Sequence, residues 1–299
     1  MAGLFQVFFW ITQDNRVSLI ETSFEKVESL SYSPFEGYDK KVLSPEQIEE
    51  DVNMLSHFTT KLRTYSTADA KVILEATSKT DIPVDLGIWI SGDHKENHLE
   101  IQRALKLLEQ YPDNIANVIV GNETLLRADL NEEELFAYID FVAEFTNKPI
   151  TCAETWDVWE RIPDLAKHVD FITIHILPYW EKVPIERFND FIIEKYSVVE
   201  KLFPFKKINI GETGWPSHGY NNNNAVPSLK NQAVAIRGFI NLASEKGWDY
   251  NIVEAFDQQW KGYDEGNVGQ YWGIFTSDRE LKFYLSGDIE LNQYWLYQM

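Results

Sequence analysis

The sequence predicts an α/β protein, a single (β/α)8 TIM barrel, on three observations. Eight short apolar runs alternate with helical patterns or loops along the chain. No window of the 299 residues has the composition of a flexible linker, so one large domain over residues 1–299 is expected. The first strand candidate leads into "SPFEG", which is not the G-x-G-x-x-G turn of the alternative, an open doubly wound sheet.

The elements follow in order. Residues 1–24 open with alternating apolar positions from Phe5 to Ile11, a "QDN" turn and "RVSLIE", the pattern of a β-hairpin extension. The apolar part is too short to span a bilayer and lacks the basic start of a signal peptide. The strand candidates are 27–35, 59–66, 84–91, 117–123, 149–156, 170–180, 207–215 and 251–260. Ser44, Pro45 and Gln47 form a helix-start signature before an apolar-periodic run ending near residue 58. In "NHLEIQRALKLLEQY", Leu99, Ala104, Leu107 and Leu108 fall on or near one helical face. "NEEELFAYIDFVAEF" and "LKNQAVAIRGFINLASEKG" repeat that pattern, the second stopping at Gly247. "YNNNNAVP" reads as a polar surface loop.

Composition bounds the function. A formal net charge of −20 repels nucleic acid and anionic membranes, so neither is an expected partner, whereas a neutral substrate is compatible. Cys152 is the single cysteine, which excludes an internal disulfide and a cysteine-rich metal site. Ten Trp serve the core in part, and any excess over core needs hints at stacking platforms for sugar rings.

Two strand candidates end in a carboxylate. "NVIVGNETLL" presents Glu123 and "INIGETGWPSHG" presents Glu212. In an eightfold barrel both would face the C-terminal mouth, where catalytic groups gather. Two carboxyl groups across a cleft are the minimum apparatus for cleaving a glycosidic bond: one holds a proton for the leaving oxygen, the other is ionised. Either Glu alone reads equally as a solvated strand end.

"GETGWPS", with "VGNE" upstream, resembles glycoside hydrolase family 17, a β-1,3-glucan-active family of eightfold barrels. The similarity runs from "SYSPF" to "WGIFTSDRELK". It implies that Glu212 is the nucleophile and Glu123 the acid/base, with net retention through a covalent glucosyl-enzyme. It places Asn122 on the sugar 2-hydroxyl and makes Tyr179 the tyrosine that positions the nucleophile, against a plain reading as a core-rim tyrosine. Trp215 belongs to the same motif and joins the expected substrate-binding set. "EAFDQQWK" resembles the strand-eight element of the fungal and bacterial branch, which puts Asp257, Trp260 and Lys261 near the cleft, Lys261 lowering the pKa of Glu212 or making an ordinary ion pair; Gln258 stands where an acid is expected.

Tyr32, Arg63, Tyr65 and Trp89, near the ends of strands one to three, are candidates for lining donor subsites, although Arg63 reads equally as structural. Trp156, Trp159 and Glu160 are expected to flank the leaving group, and of Trp156, Trp159, Trp180 and Trp272 about half are expected to face the cleft. His94 and His98, four apart, match no zinc motif and read as a polar loop; His175 reads as a hydrogen-bonded barrel position. No cofactor or metal is called for. The expected protein is a monomer, secreted or associated with the cell wall, whose partner is β-1,3-glucan. The expected reaction is glucanosyl transfer to a glucan acceptor, with transfer to water or an inactive glucan-binding wall protein as the alternatives.

Overall fold

The computed structural model describes residues 24–286, and the expected N-terminal hairpin lies, but for its last residue, outside them. Eight parallel strands close a barrel: β1 (Leu30–Ser31), β2 (Leu62–Arg63), β3 (Val84–Ile88), β4 (Ile115–Asn122), β5 (Ile150–Thr155), β6 (Ile172–His175), β7 (Ile208–Thr213) and β8 (Asp249–Ile252). Closure comes from β1, which pairs with β2 at Leu30↔Leu62 and with β8 at Leu30↔Ile252. Every strand candidate contains or overlaps its barrel strand, but all the real strands except β4 are shorter. The eighth stops at Ile252 rather than running to residue 260, because the chain beyond it turns to pair Phe256 with Phe275.

Among the described residues, seven α-helices wrap the barrel: α1 (Pro45–Leu55), α2 (Thr67–Thr77), α3 (His94–Gln110), α4 (Glu132–Ala143), α5 (Trp156–Arg161), α6 (Phe188–Leu202) and α7 (Leu229–Lys246). Ser44 and Gln47 close a reciprocal capping box on α1, as their spacing predicts. Gly247 ends α7 in the left-handed conformation at φ 66°, where a side chain would be strained. Two expectations fail on α3. His94 and His98 begin a helix, not a loop, because the Asp93 side chain accepts from the free N–H groups of Lys95 and Glu96. Leu99 is 39% exposed; the buried stripe is Ile101, Ala104, Leu107 and Leu108.

Carboxyls withdrawn from water, buried Glu154 and half-buried Glu28 among them, make stability depend on pH. Burial pushes Glu154, on β5, up to about 7, and Glu28, just before β1, likewise up to about 7. A raised folded pKa means the native state holds a proton that the unfolded chain releases above its ordinary value. The contribution of these groups to stability is therefore fullest below about 4.5 and is lost as pH rises through about 7. Glu154 alone accounts for up to about 3 kcal/mol of that change. We expect a melting temperature higher at pH 5.5 than at pH 8 by roughly 5–10 °C, read by calorimetry; an unchanged or lower value at pH 5.5 would show that these groups ionise freely in the fold.

Candidate active site

The C-terminal strand ends converge on a cleft of roughly 1240 Å³ whose lining includes Tyr65, Asn122, Glu123, His175 and Glu212. Their positions follow from the strands. Asn122 ends β4, and Gly121 just before it takes φ 84°, which turns the chain so that Glu123 leaves the barrel at φ 53°. His175 ends β6 and pairs in register with Glu212 on β7. Glu123 and Glu212 each contribute one oxygen to a group, shared with a His175 nitrogen, whose atoms all lie within 4.8 Å of one another.

Beneath Glu212 lies a fixed polar network. The Tyr65 hydroxyl donates to Glu212 Oε1 at 2.9 Å and contacts Ser31 Oγ at 2.9 Å. The fully buried Arg63 guanidinium reaches Glu212 Oε1 at 3.4 Å, donates to Asn122 Oδ1 at 2.7 Å and also donates to the Gly211 carbonyl. Arg63 Nη2 stands 3.3 Å from His175 Nε2, and His175 Nδ1 stands 2.7 Å from Glu123 Oε1. Guanidinium can only donate, so whenever the ring is neutral its Nε2 accepts and its Nδ1–H donates to Glu123. A chain of hydrogen bonds thus links the two carboxyls through one imidazole and one guanidinium.

The charges set the ionisation of Glu212. Burial alone would raise its pKa, but His175 when charged, Arg63, the Tyr65 hydroxyl and, further off, Lys261 hold the carboxyl below the usual carboxylate range. Lys261 itself pairs with buried Glu254 at 2.9 Å rather than with Glu212. Burial and the Glu212 charge push the Tyr65 phenol well up, so it remains a donor. Glu123, His175 and Glu212 are close enough to share a metal ion, yet Arg63 at 3.4 Å already supplies the positive charge beside Glu212.

Of the residues singled out in the sequence, Tyr65, Asn122, Glu123, Trp156, Glu212, Trp260 and Lys261 line the cleft, as do Trp89, Trp180 and Trp272. The others lie elsewhere. Arg63 sits beneath Glu212 instead of at a sugar subsite. Tyr32 is buried, its hydroxyl donating to Asp51 Oδ2 at 2.8 Å. Trp159, one turn along α5 from Trp156, faces the core and donates to the Thr173 carbonyl at 2.9 Å, while Trp156 stays at the mouth. Glu160 is exposed at the outer end of that helix. Trp215 is buried and donates to the Val226 carbonyl at 3.1 Å. Asp257 is taken by buried Lys282 at 2.7 Å and by the Gly273 N–H at 3.0 Å.

Tyr179 is the most informative correction. Its hydroxyl donates to the Tyr220 carbonyl at 2.6 Å, within a cluster of Trp180, Trp215 and Trp272. Tyr65, from the end of β2, makes the bond to Glu212 that Tyr179 was expected to make. A hydrogen bond to a charged group contributes about 1.5–3 kcal/mol. Tyr65→Phe should therefore lower turnover roughly 10- to 100-fold, while Tyr179→Phe leaves it within about threefold. Steady-state kinetics on both variants decides which tyrosine supports Glu212. Sequence reasoning missed how close His175 stands to both carboxyls, and it missed Glu154; the "AET" at the end of β5 was a third strand-end acid in plain view.

Known proteins bear on this geometry. A family model described as the BtgE/BtgC glycoside hydrolase domain matches residues 29–273. A "Glucan 1,3-beta-glucosidase" of Schizosaccharomyces pombe is 29% identical over 256 residues, 79% of each chain. The solved structure of a glycoside hydrolase family 17 β-1,3-glucanosyltransferase from Rhizomucor miehei superposes with a TM-score of 0.76 at 26% identity, covering 85% of this chain and 94% of that one. An endo-laminarinase from Formosa, 20% identical with a TM-score of 0.76, shares the fold. The matched span contains all eight strands and both strand-end glutamates, in keeping with the family 17 resemblance of the GETGWPS and VGNE motifs, and the chain belongs to the BtgE/BtgC glycoside hydrolase domain family.

Proposed function

We propose that the protein is a retaining β-1,3-glucan-active enzyme that forms a covalent glucosyl-enzyme and passes the glucanosyl unit to a glucan acceptor. The observation that carries the reading is the short gap between Glu123 and Glu212, whose facing oxygens lie within 4.8 Å. Retention needs carboxyls about 5 Å apart, whereas inversion needs roughly 6.5–9.5 Å to hold a water between them. Glu212, ionised and steadied by Tyr65 and Arg63, attacks the anomeric carbon from one face. Glu123 protonates the departing glycosidic oxygen, then takes the proton of the incoming hydroxyl in the second half-reaction. Because Asn122 Oδ1 receives Arg63, its amide N–H groups are left to donate to the sugar 2-hydroxyl.

The cleft is larger than a pocket for one small ligand, which suits an oligosaccharide. Aromatic faces lie on both flanks. Trp89 follows β3 and Trp260 follows β8, packing on Phe35 beyond β1, whereas Trp156 and Trp180 follow β5 and β6. Apolar C–H faces of glucose stack on such rings. The second pair would hold an acceptor glucan where water would otherwise attack, and this favours transfer over hydrolysis. The relatives' names and the family's fungal members support β-1,3-glucan as substrate and a secreted or wall-associated site of action.

The test is a time course on a linear β-1,3-glucan oligosaccharide followed by mass spectrometry. Products longer than the substrate should appear early, and Trp156→Ala should lower their share relative to hydrolysis products. Only shorter products at low and high substrate would make the enzyme a hydrolase. An unchanged substrate would leave a glucan-binding protein.

A further inference from the structure

One ionisable side chain beside the site has no part in the reaction just described. Glu154 on β5 is 0% exposed and does not line the cleft, so it cannot touch a sugar. Its two oxygens face the backbone of the turn that carries Glu123: Oε1 accepts from Leu125 N at 2.7 Å and Oε2 from Leu126 N at 3.3 Å. The same strand holds the turn a second way, since Glu123 N donates to the carbonyl of Ala153, the residue before Glu154, at 2.7 Å. From outside, Arg127 N donates to the Glu123 carbonyl at 2.9 Å, and its guanidinium donates to the Asn122 carbonyl.

This clamp answers a physical need. Glu123 has φ 53°, a left-handed backbone that a side chain other than glycine's adopts only under constraint. A turn in that conformation, left to itself, relaxes and swings its side chain. A buried carboxyl group whose two oxygens accept from two successive N–H groups is a directional restraint on such a turn.

Resting on the assignment of Glu123 as acid/base, we propose that Glu154 is a positioning residue that holds the Glu123 turn in the conformation from which the acid reaches the glycosidic oxygen. It acts on the proton-transfer half of the chemistry and leaves attack by Glu212 untouched. Loss of the clamp therefore harms a substrate in proportion to its need for a proton. An alkoxide leaving group, as in a glucan, needs one; 2,4-dinitrophenolate leaves without it.

The experiment compares Glu154→Gln with the parent on a β-1,3-gluco-oligosaccharide and on 2,4-dinitrophenyl β-laminaribioside. In the variant an amide NH2 faces one of the two backbone donors. We expect kcat/KM on the oligosaccharide to fall roughly 10- to 100-fold and that on the dinitrophenyl substrate to stay within about threefold. Added azide should restore the dinitrophenyl kcat, because the anion attacks the glucosyl-enzyme without needing a base. Equal losses on both substrates, or no loss on either, would overturn the proposal. Should Glu154→Gln not fold, Glu154→Asp, which draws the carboxylate back by one methylene, is read on the same pair. Glu123→Gln run in parallel separates the two levels: it must show the same split, more strongly. If it does not, the acid/base assignment falls; if it does and the Glu154 variants do not, only the positioning role falls.

Discussion

Glu212→Gln should lower kcat/KM on β-1,3-gluco-oligosaccharides by roughly 10⁴-fold or more, the scale of losing a nucleophile. The substitution keeps the shape of the side chain and can still accept from Tyr65, so folding and glucan binding should survive, measured by melting temperature and by isothermal titration. A smaller variant sharpens the result. Glu212→Gly with azide and an activated aryl glycoside should yield the α-configured glycosyl azide, because the anion enters through the space the carboxylate vacates. Glu123→Gly under the same conditions should yield the β-configured azide, because there the nucleophile still forms the covalent intermediate and azide attacks from the other face. Finding the anomers reversed would exchange the two roles; full activity in Glu212→Gln would remove it from the chemistry.

Arg63→Met has the second largest expected effect, and it acts on both stability and rate. The guanidinium is fully buried and serves Glu212, Asn122 and the Gly211 carbonyl at once. Methionine fills much of the volume but leaves a buried carboxylate without its cation, which costs about 3–5 kcal/mol. The kinetic signature follows from sign. Arg63 helps hold Glu212 below the usual carboxylate range, and Glu212, as the proposed nucleophile, must be ionised to attack. Without Arg63 its pKa rises, so the acidic limb of the kcat/KM profile moves to higher pH. At the parent's optimum the rate should fall by roughly 100-fold or more. An acidic limb that stays in place while the melting temperature falls would limit Arg63 to a structural role.

Much of the fold was legible because its signals are local. Strand ends at Asn122 and Thr213, the cap at Ser44 and the stop at Gly247 each depend on a few neighbouring residues. Helices α2 and α6 were harder: more than half of α2 is buried, Thr67 and Thr77 included, which blurs its polar face. The aromatic residues were read least well. Trp156 and Trp159 have the same composition and nearly the same place in the chain, and only the docking of α5 on the barrel sends one to the cleft and the other to the core. Tyr65 and Tyr179 both follow strands, and the choice between them depends on which hydroxyl lies 2.9 Å from Glu212.

The sequence by itself determined the barrel, the two carboxylates and the mouth at which they meet, since strand period, strand-end turns and a specific motif are written in consecutive residues. The tertiary structure decided how those carboxylates are served: Arg63, Tyr65, His175 and Glu154 come from three different strands and meet only when the barrel closes. Charge coupling and hydrogen bonding act over a few ångströms of space, and separation along the chain carries almost no information about that distance.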